Sequence, residues 1–387
     1  MPKSFAEINE KIRKGNVVVI TADEVGEMVR QEGLSAAAEK IDIVTTATFG
    51  PMCSSGAFLN FGHTDPPIRM EKIWLNDVEA YGGLAAVDTY LGATATSESK
   101  GIEYGGAHVI CDLIAGKEIN LQAKGTVTDC YPLNRLEIPI TKDSINEAYL
   151  FNPRNSYQNY AAAVNTSERV LHTYMGVLQP EMGNINYSTS GALSPLLNDP
   201  TYRTIGIGTR IFFCGTEGYV SWQGTQFNSG TLRDDNGLPL GTGGTLALIG
   251  DLKKMDSEFI QPAVFAGYGV SLYVGIGIPI PVLDEALLKT LALEDKDITT
   301  AVYDYSVQRR NRPALARVNY AQLRSGSVEL NGRQIRTAPL SSLYKAKQIA
   351  ERLREWILNG DFYLNEPVKL FDTKNNIRSL DMSKARR

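Results

Sequence analysis

Between residues 168 and 280 the chain repeats one pattern, short apolar or β-branched runs separated by glycine turns: RVLHTYMGVL, GNINYS, YRTIGIGTRIFFCG, EGYVSWQGTQ, GTLALIGDL and YGVSLYVGIGIPIP. Runs this short, closed by glycine, predict strands stacked into a β-rich layer. The stretch before it is mixed. Residues 5–16 predict an amphipathic helix ending at Gly15, and Val17–Ile20 a buried strand. Thr21, with Glu24 at capping-box spacing, predicts a helix to Gly33, and a short helix follows over 34–40. The class is therefore α+β. A mixed α/β part over 1–150 is followed by a β-rich, glycine-rich part over 151–375 that completes the same core, with an amphipathic helix at 340–358 and a frayed tail at 376–387. DSINEAYL (143–150) predicts a short helix, FNPRNSYQNYAAAVNTSE a surface or cleft-lining loop, and Asn331-Gly332 a tight hairpin. The Gly-Ile-Gly runs at 206–208 and 275–277 do not extend to GxGxxG with its following acidic residue, which rejects a Rossmann reading.

Chemistry is expected in TTATFGPMCSSGAFLNFGHTDPPIR, residues 45–69. Cys53 sits there in a loop of small residues between two apolar runs, a strand-loop-strand pattern that presents a side chain. Ser54, Ser55 and Gly56 would let successive amides converge on an anion such as a thiolate. A lone cysteine usually packs as a small hydrophobe, but Ser, Gly, Pro, His and Asp are not packing neighbours. Cys130 has a similar setting, at a strand end beside Asp129 and before Tyr131-Pro132. Cys111 lies on an apolar helical stripe, and Cys214 in Ile211-Phe-Phe-Cys; both read as core. No CxxC pair occurs, so neither a zinc ribbon nor a cubane cluster is encoded locally. With 3 histidines against 18 tyrosines, base chemistry has few histidine candidates, His63 and His108 among them.

Net charge of −4 and 21% charged residues exclude a basic face for nucleic acid. No secretory leader and no apolar run of about 18 residues is present, so a cytoplasmic, non-membrane protein is expected. Asn76, Asp77 and Glu79, ahead of a glycine pair, read as a ligand-holding turn or a solvated one. Asn152, Arg154 and Asn155 suit a carboxylate, and Arg309, Arg310 and Arg312 read as a solvated basic loop ahead of a carboxylate clamp.

TATFGPMCSSGAFLNFGHTDPPIRM, WLNDVEAYGG, EYGGAHVI, TDCYP, FNPRN, SPLLNDP, TIGIGTRIF and YVGIGIPIP together strongly resemble the homocysteine biosynthesis family of methanogenic archaea and other anaerobes, over roughly residues 5–370. The resemblance implies an L-aspartate semialdehyde sulfurtransferase that inserts sulfur into the aldehyde to make homocysteine. The two cysteines singled out in the family fall on Cys53 and Cys130. It also implies a small ferredoxin-like iron–sulfur partner as electron source, and a form without the C-terminal CBS domains that many archaeal members carry. The sequence has no flavin, nicotinamide or iron–sulfur motif, so no cofactor bound by the chain itself and no metal is expected.

On this reading one thiolate takes up sulfur as a persulfide whose outer sulfur attacks the aldehyde, and the second resolves the intermediate, leaving a Cys53–Cys130 disulfide. The resemblance favours Cys130 as the persulfide carrier and Cys53 as the resolving thiol. His63 or His108 would shuttle the proton, Asp65 would orient His63, and Arg69 or Arg154 would hold the substrate carboxylate. A homo-oligomer is compatible with the sequence. A competing reading is a sulfur-carrier scaffold that docks the ferredoxin-like partner, and a lesser one is a metal site of Cys53, Cys130 and His63.

Overall fold

The computed structural model describes residues 2–308 and 311–385. Arg309 and Arg310 of the basic cluster lie outside the described residues. One large sheet carries most of the described strands. Its order is Val19–Thr21, Ile43–Pro51, Gly269–Pro281, Arg210–Phe213, Thr216–Gln223, Leu246–Asp251, Glu147–Asn155, Gly56–Asn60, Asp88–Gly92, Val78–Tyr81, Lys72–Leu75, Ile119–Lys124 and Arg135–Ile140. A block of four strands from after residue 150 is set between two groups of strands from before it, so the two expected parts share one sheet in an α+β fold. Its most extensive ladder is antiparallel: Ile43–Pro51 pairs with Gly269–Pro281 from Ile43↔Pro281 to Pro51↔Tyr273. Every residue of the first strand up to Gly50 is buried, which explains its near-continuous apolar and β-branched run.

The helix Leu343–Leu358 lies across this ladder and buries Ala346, Ile349, Ala350, Leu353 and Ile357. Ser342 caps it, accepting from the Lys345 amide at 3.2 Å. The Gly-Ile-Gly run at 275–277 has its purpose here. A Cβ on Gly275 would stand 3.0 Å from Ile349 Cδ1, and one on Gly277 3.1 Å from Ile349 Cγ2, so the bare strand surface is the seat of the helix. A second sheet, ordered Ala314–Asn319, Thr299–Asp304, Ala162–Val164, Asn184–Tyr187, Arg333–Pro339 and Ser327–Leu330, has its own core around Ile185, Val302, Tyr320 and Leu323. Its last hairpin turns at Asn331 (φ 53°) and Gly332 (φ 74°), the left-handed pair that Asn-Gly predicts.

The helix expected over 143–150 is not formed. Glu147–Asn155 is a strand held between Gly56–Asn60 and Leu246–Asp251, with Ala148, Leu150 and Asn152 buried and alternate residues facing out. Pairing on both edges overrides the helix preference of Asn-Glu-Ala. No helix among the described residues is long and apolar enough to cross a membrane.

Candidate active site

Cys53 stands in a four-residue turn where Ile43–Pro51 gives way to Gly56–Asn60. The Ser55 amide donates to the Met52 carbonyl at 3.1 Å and the Ser55 hydroxyl to the same oxygen at 2.7 Å. That takes the Ser55 amide out of the expected anion nest. The turn is braced instead by Asn152, whose Nδ2 donates to Ser55 Oγ at 2.7 Å while its Oδ1 accepts from the Arg154 amide at 3.0 Å. Ser54 Oγ donates to the Arg154 carbonyl at 3.1 Å. The register of Glu147–Asn155 against Leu246–Asp251 slips between Asn152 and Asn155, a bulge that carries Arg154 away from the ladder. The thiol turn and the arginine are thus parts of one hydrogen-bonded unit.

Both open into a cavity of about 530 Å³ lined also by Tyr157, Tyr160, Tyr174 and Tyr268. The size suits a small metabolite with a second reactant. The buried Nε of Arg154 has no hydrogen-bond partner, and among the described residues no carboxylate pairs with this guanidinium. Burial pushes the Tyr157 phenol up to about 12, with the Arg154 cation opposing and a Cys53 charge reinforcing; the same two groups act on Tyr268. Cys53, Arg154, Tyr157 and Tyr268 are therefore electrostatic neighbours. An anionic substrate group has a cation waiting for it beside a thiol. A smaller cavity of about 310 Å³ shares Tyr160, Tyr174 and Thr242 with this one and adds Tyr303, Tyr305, Gln308 and Arg312. Arg312, expected in a solvated loop, stacks its guanidinium 3.7 Å from the Tyr305 ring centroid.

The remaining expected residues lie in two other places. Cys130 is exposed in a turn closed by Thr128 and Tyr131, and its loop packs on the segment after His63 and Asp65 through the Leu133 amide and the Pro67 carbonyl. His63, Asp65 and Arg69 are exposed there, Arg69 reaching Glu71 only at 3.9 Å. The strand Gly56–Asn60 stands between Cys53 and this region, and at about 3.3 Å rise per residue it sets the two cysteines on the order of 15 Å or more apart. All four cysteines are free. Among the described residues no three of His, Cys, Asp and Glu gather as a metal site, and Cys53, Cys130 and His63 are not together.

Asn76 and Asp77 form a third group, a left-handed hairpin turn with φ of 47° and 68°. Asn76 bonds Tyr104 Oη and the Asn120 amide, and Asp77 accepts from Ser97 Oγ and the Ser99 amide. Their polar atoms are taken up by the fold rather than offered to a ligand. His108 accepts the Gly105 amide through Nδ1 at 3.1 Å and stacks on Tyr104; burial holds it below the ordinary histidine value against the Asp112 charge. Burial likewise pushes the Cys111 thiol up to about 12 and raises Cys214, which is fully buried, as packing roles require.

Residues that sequence reasoning missed are the cavity tyrosines and Ile377. For Tyr157 and Tyr160 the signal was the cleft-lining reading of their segment; for Tyr174 and Tyr268 it was only the number of tyrosines. Ile377, in the tail expected to fray, lines the Cys53 cavity, and Asn375 next to it is tied to Ser229 Oγ at 3.1 Å.

Comparison with known proteins bears on this geometry. An L-aspartate semialdehyde sulfurtransferase of Methanosarcina acetivorans is 51% identical over 99% of this chain and 75% of its own length. An enzyme of the same name from Methanocaldococcus jannaschii is 50% identical over 97% of this chain and 74% of its own length. No solved structure matches the chain. Residues 17–364 match the family described as homocysteine biosynthesis enzyme, sulfur-incorporation. With that match enclosing the Cys53 turn, Arg154 and the tyrosines around them, the chain belongs to the homocysteine biosynthesis family of sulfur-incorporating enzymes.

Proposed function

We propose that the chain inserts sulfur into the aldehyde carbon of L-aspartate semialdehyde to give L-homocysteine, in the Cys53 cavity. The observation that carries this is the pairing of a thiol with an unpaired, part-buried guanidinium on one braced unit. Arg154 holds the substrate carboxylate through charge-assisted hydrogen bonds. Sulfur arrives as the outer atom of a Cys53 persulfide, formed when sulfide opens a Cys53–Cys130 disulfide and releases the Cys130 thiolate, and its attack on the aldehyde forms the carbon–sulfur bond.

The place of Cys53 in the cavity with Arg154 favours it as the persulfide carrier and exposed Cys130 as the exchanging thiol, the reverse of the roles the resemblance implies. Transfer to Cys130 breaks the S–S bond of the adduct, releases a 1-hydroxythiol and leaves a Cys53–Cys130 disulfide. A disulfide needs Cα atoms within about 7 Å, so either the Cys130 loop moves or a second copy supplies it. Loss of water turns the 1-hydroxythiol into a thioaldehyde, which two electrons and two protons reduce to the CH2–SH product, while the re-formed disulfide takes the next sulfide. The source of the electrons, on this reading, is a small ferredoxin-like iron–sulfur protein.

The test is anaerobic homocysteine formation from aspartate semialdehyde and sulfide, with a strong reductant or the reduced iron–sulfur protein, for wild type, Cys53→Ala and Cys130→Ala. Loss of activity in both folded variants supports the two-thiol scheme. Full activity in both refutes it. A wild type that neither binds aspartate semialdehyde nor makes homocysteine points to the sulfur-carrier scaffold instead.

A further inference from the structure

Tyr160 and Tyr174, on the wall of the Cys53 cavity, form a continuous chain of hydroxyls with Tyr305 of the smaller cavity beside it. Tyr160 Oη donates to Tyr174 Oη at 3.1 Å, and Tyr174 Oη lies 3.1 Å from Tyr305 Oη. Arg312 closes the chain at its far end, over the Tyr305 ring and with Nη1 donating to Tyr174 Oη at 3.4 Å. Tyr174 is the member that belongs to both cavities and reaches solvent, being 37% exposed, whereas Tyr305 is 7% exposed. It sits at the tip of a two-residue hairpin between Leu171–Thr173 and Gly176–Leu178, fixed by Thr173 Oγ1 bonds to the Met175 amide and the Gly176 carbonyl. Its ring meets those of Tyr160, Tyr268 and Tyr305 edge to face.

We infer that Tyr174 is the general acid of the cavity, giving its proton to the aldehyde oxygen as sulfur bonds to the carbon, with Tyr160, Tyr305 and Arg312 as the line that holds and restores that proton. This rests on the proposed sulfur addition at Cys53. In the step a sulfur lone pair forms the S–C bond, the carbonyl π pair moves to oxygen, and oxygen takes the Tyr174 proton. A hydroxyl adduct and a tyrosinate result, with no electron gained or lost. Water entering beside Arg312 reprotonates the tyrosinate through the chain. His63 and His108, the sequence-based candidates for this proton, are in the two other regions of the molecule and cannot serve it there.

The groups around Tyr174 fit the role. Burial pushes its phenol up, but the hydrogen bonds from Tyr160, Tyr305 and Arg312 together with the Arg312 charge outweigh it and hold Tyr174 below the ordinary tyrosine value. Tyr160 and Tyr305 are themselves raised by burial, so they stay protonated as donors. Tyr157, Arg154 and Cys53 line the same cavity, Tyr268 meets it edge to face, and His172, on its own hairpin, is turned to the Ala266 carbonyl at 2.7 Å.

Tyr174→Phe keeps the ring and removes the proton. With the electron source that supports wild-type turnover, the expected result is a fall in kcat of about 100-fold or more, with KM within about threefold. The alkaline limb of the kcat profile should vanish with it. Arg312→Ala should move that limb to higher pH, because the lost cation no longer favours the tyrosinate. Titration of 13C-labelled tyrosines should show one phenol ionising before the others, absent in Tyr174→Phe. If Tyr174→Phe turns over at the wild-type rate with an unchanged pH profile, the assignment is overturned and the sulfurtransferase reading stands. A wild type that makes no homocysteine overturns that reading and the assignment with it.

Discussion

Replacing Asn152 by alanine probes the brace between the Cys53 turn and Arg154. Two short bonds are lost, Nδ2 to Ser55 Oγ at 2.7 Å and the Arg154 amide to Oδ1 at 3.0 Å. Ser55 keeps its donor bond to the Met52 carbonyl, so it forfeits only a role as acceptor. The Arg154 amide is left without a partner beside a position that is 0% exposed. At about 1 kcal/mol for an ordinary bond and about 1–3 for a donor left unsatisfied, the variant should lose roughly 2–4 kcal/mol. The site should lose more than the fold does. Freed from each other, the turn and the guanidinium drift by fractions of an ångström, and misplacement on the scale of 1 Å costs about 100-fold in turnover. Guanidinium unfolding followed by tryptophan fluorescence, Trp356 being packed on Phe212, reads the stability. Alkylation of Cys53 in a Cys130→Ser background reads the turn and should accelerate. An unchanged unfolding midpoint together with an unchanged alkylation rate refutes the brace.

Arg154→Met should raise KM for the aldehyde about 10- to 100-fold, the equivalent of a charge-assisted bond of about 1.5–3 kcal/mol, without lowering the unfolding midpoint, because the buried Nε satisfies nothing in the free protein. Equal KM values would remove Arg154 from substrate binding. Gly277→Val should destabilise by about 1–3 kcal/mol through overpacking, since even a Cβ there stands 3.1 Å from Ile349 and 3.2 Å from Leu353; thermal melts with and without Ile349→Ala, which should relieve it, are the check. His108 is held neutral by burial, so its folded value is depressed and the unfolded chain binds the proton more readily. Stability from this group is full above about pH 6.5 and falls as pH drops below it; His108→Gln should flatten that slope in denaturation measured from pH 7.5 to 5.5.

Local chemistry carried much of this structure in the sequence. The Cys53 turn was legible because β-branched and aromatic runs flank four small or polar residues, and the Asn331-Gly332 hairpin because its left-handed pair has few alternatives. The helix Gly106–Ile114 starts on the second glycine of its pair and stops short of Gly116, burying Val109, Ile110, Leu113 and Ile114 along the apolar stripe. The strand Glu147–Asn155 was misread because helix propensity is local whereas its two partner strands lie about 90 and 100 residues away in sequence; the period of two at Ala148, Leu150 and Asn152 was the better guide. Cys53 and Cys130 have similar neighbours in sequence, yet similarity of setting says nothing about proximity, and the fold parts them. The tyrosine chain draws on residues 160, 174 and 305, which no spacing rule connects.

The insertion of late strands among early ones in one sheet has a consequence for how the site comes into being. Cys53 leaves its strand at Pro51, whose ladder partner is Tyr273, and the cavity wall is finished by Tyr268, Leu340 and Ile377. A ribosome that has made the first 150 residues has made the thiol but none of the partner strand that fixes it. Contacts so distant in sequence close slowly and late. The enclosure that pairs the thiol with its arginine and tyrosines is therefore withheld until nearly the whole described chain has been synthesised, and before that moment Cys53 is an ordinary cysteine on an unfinished sheet.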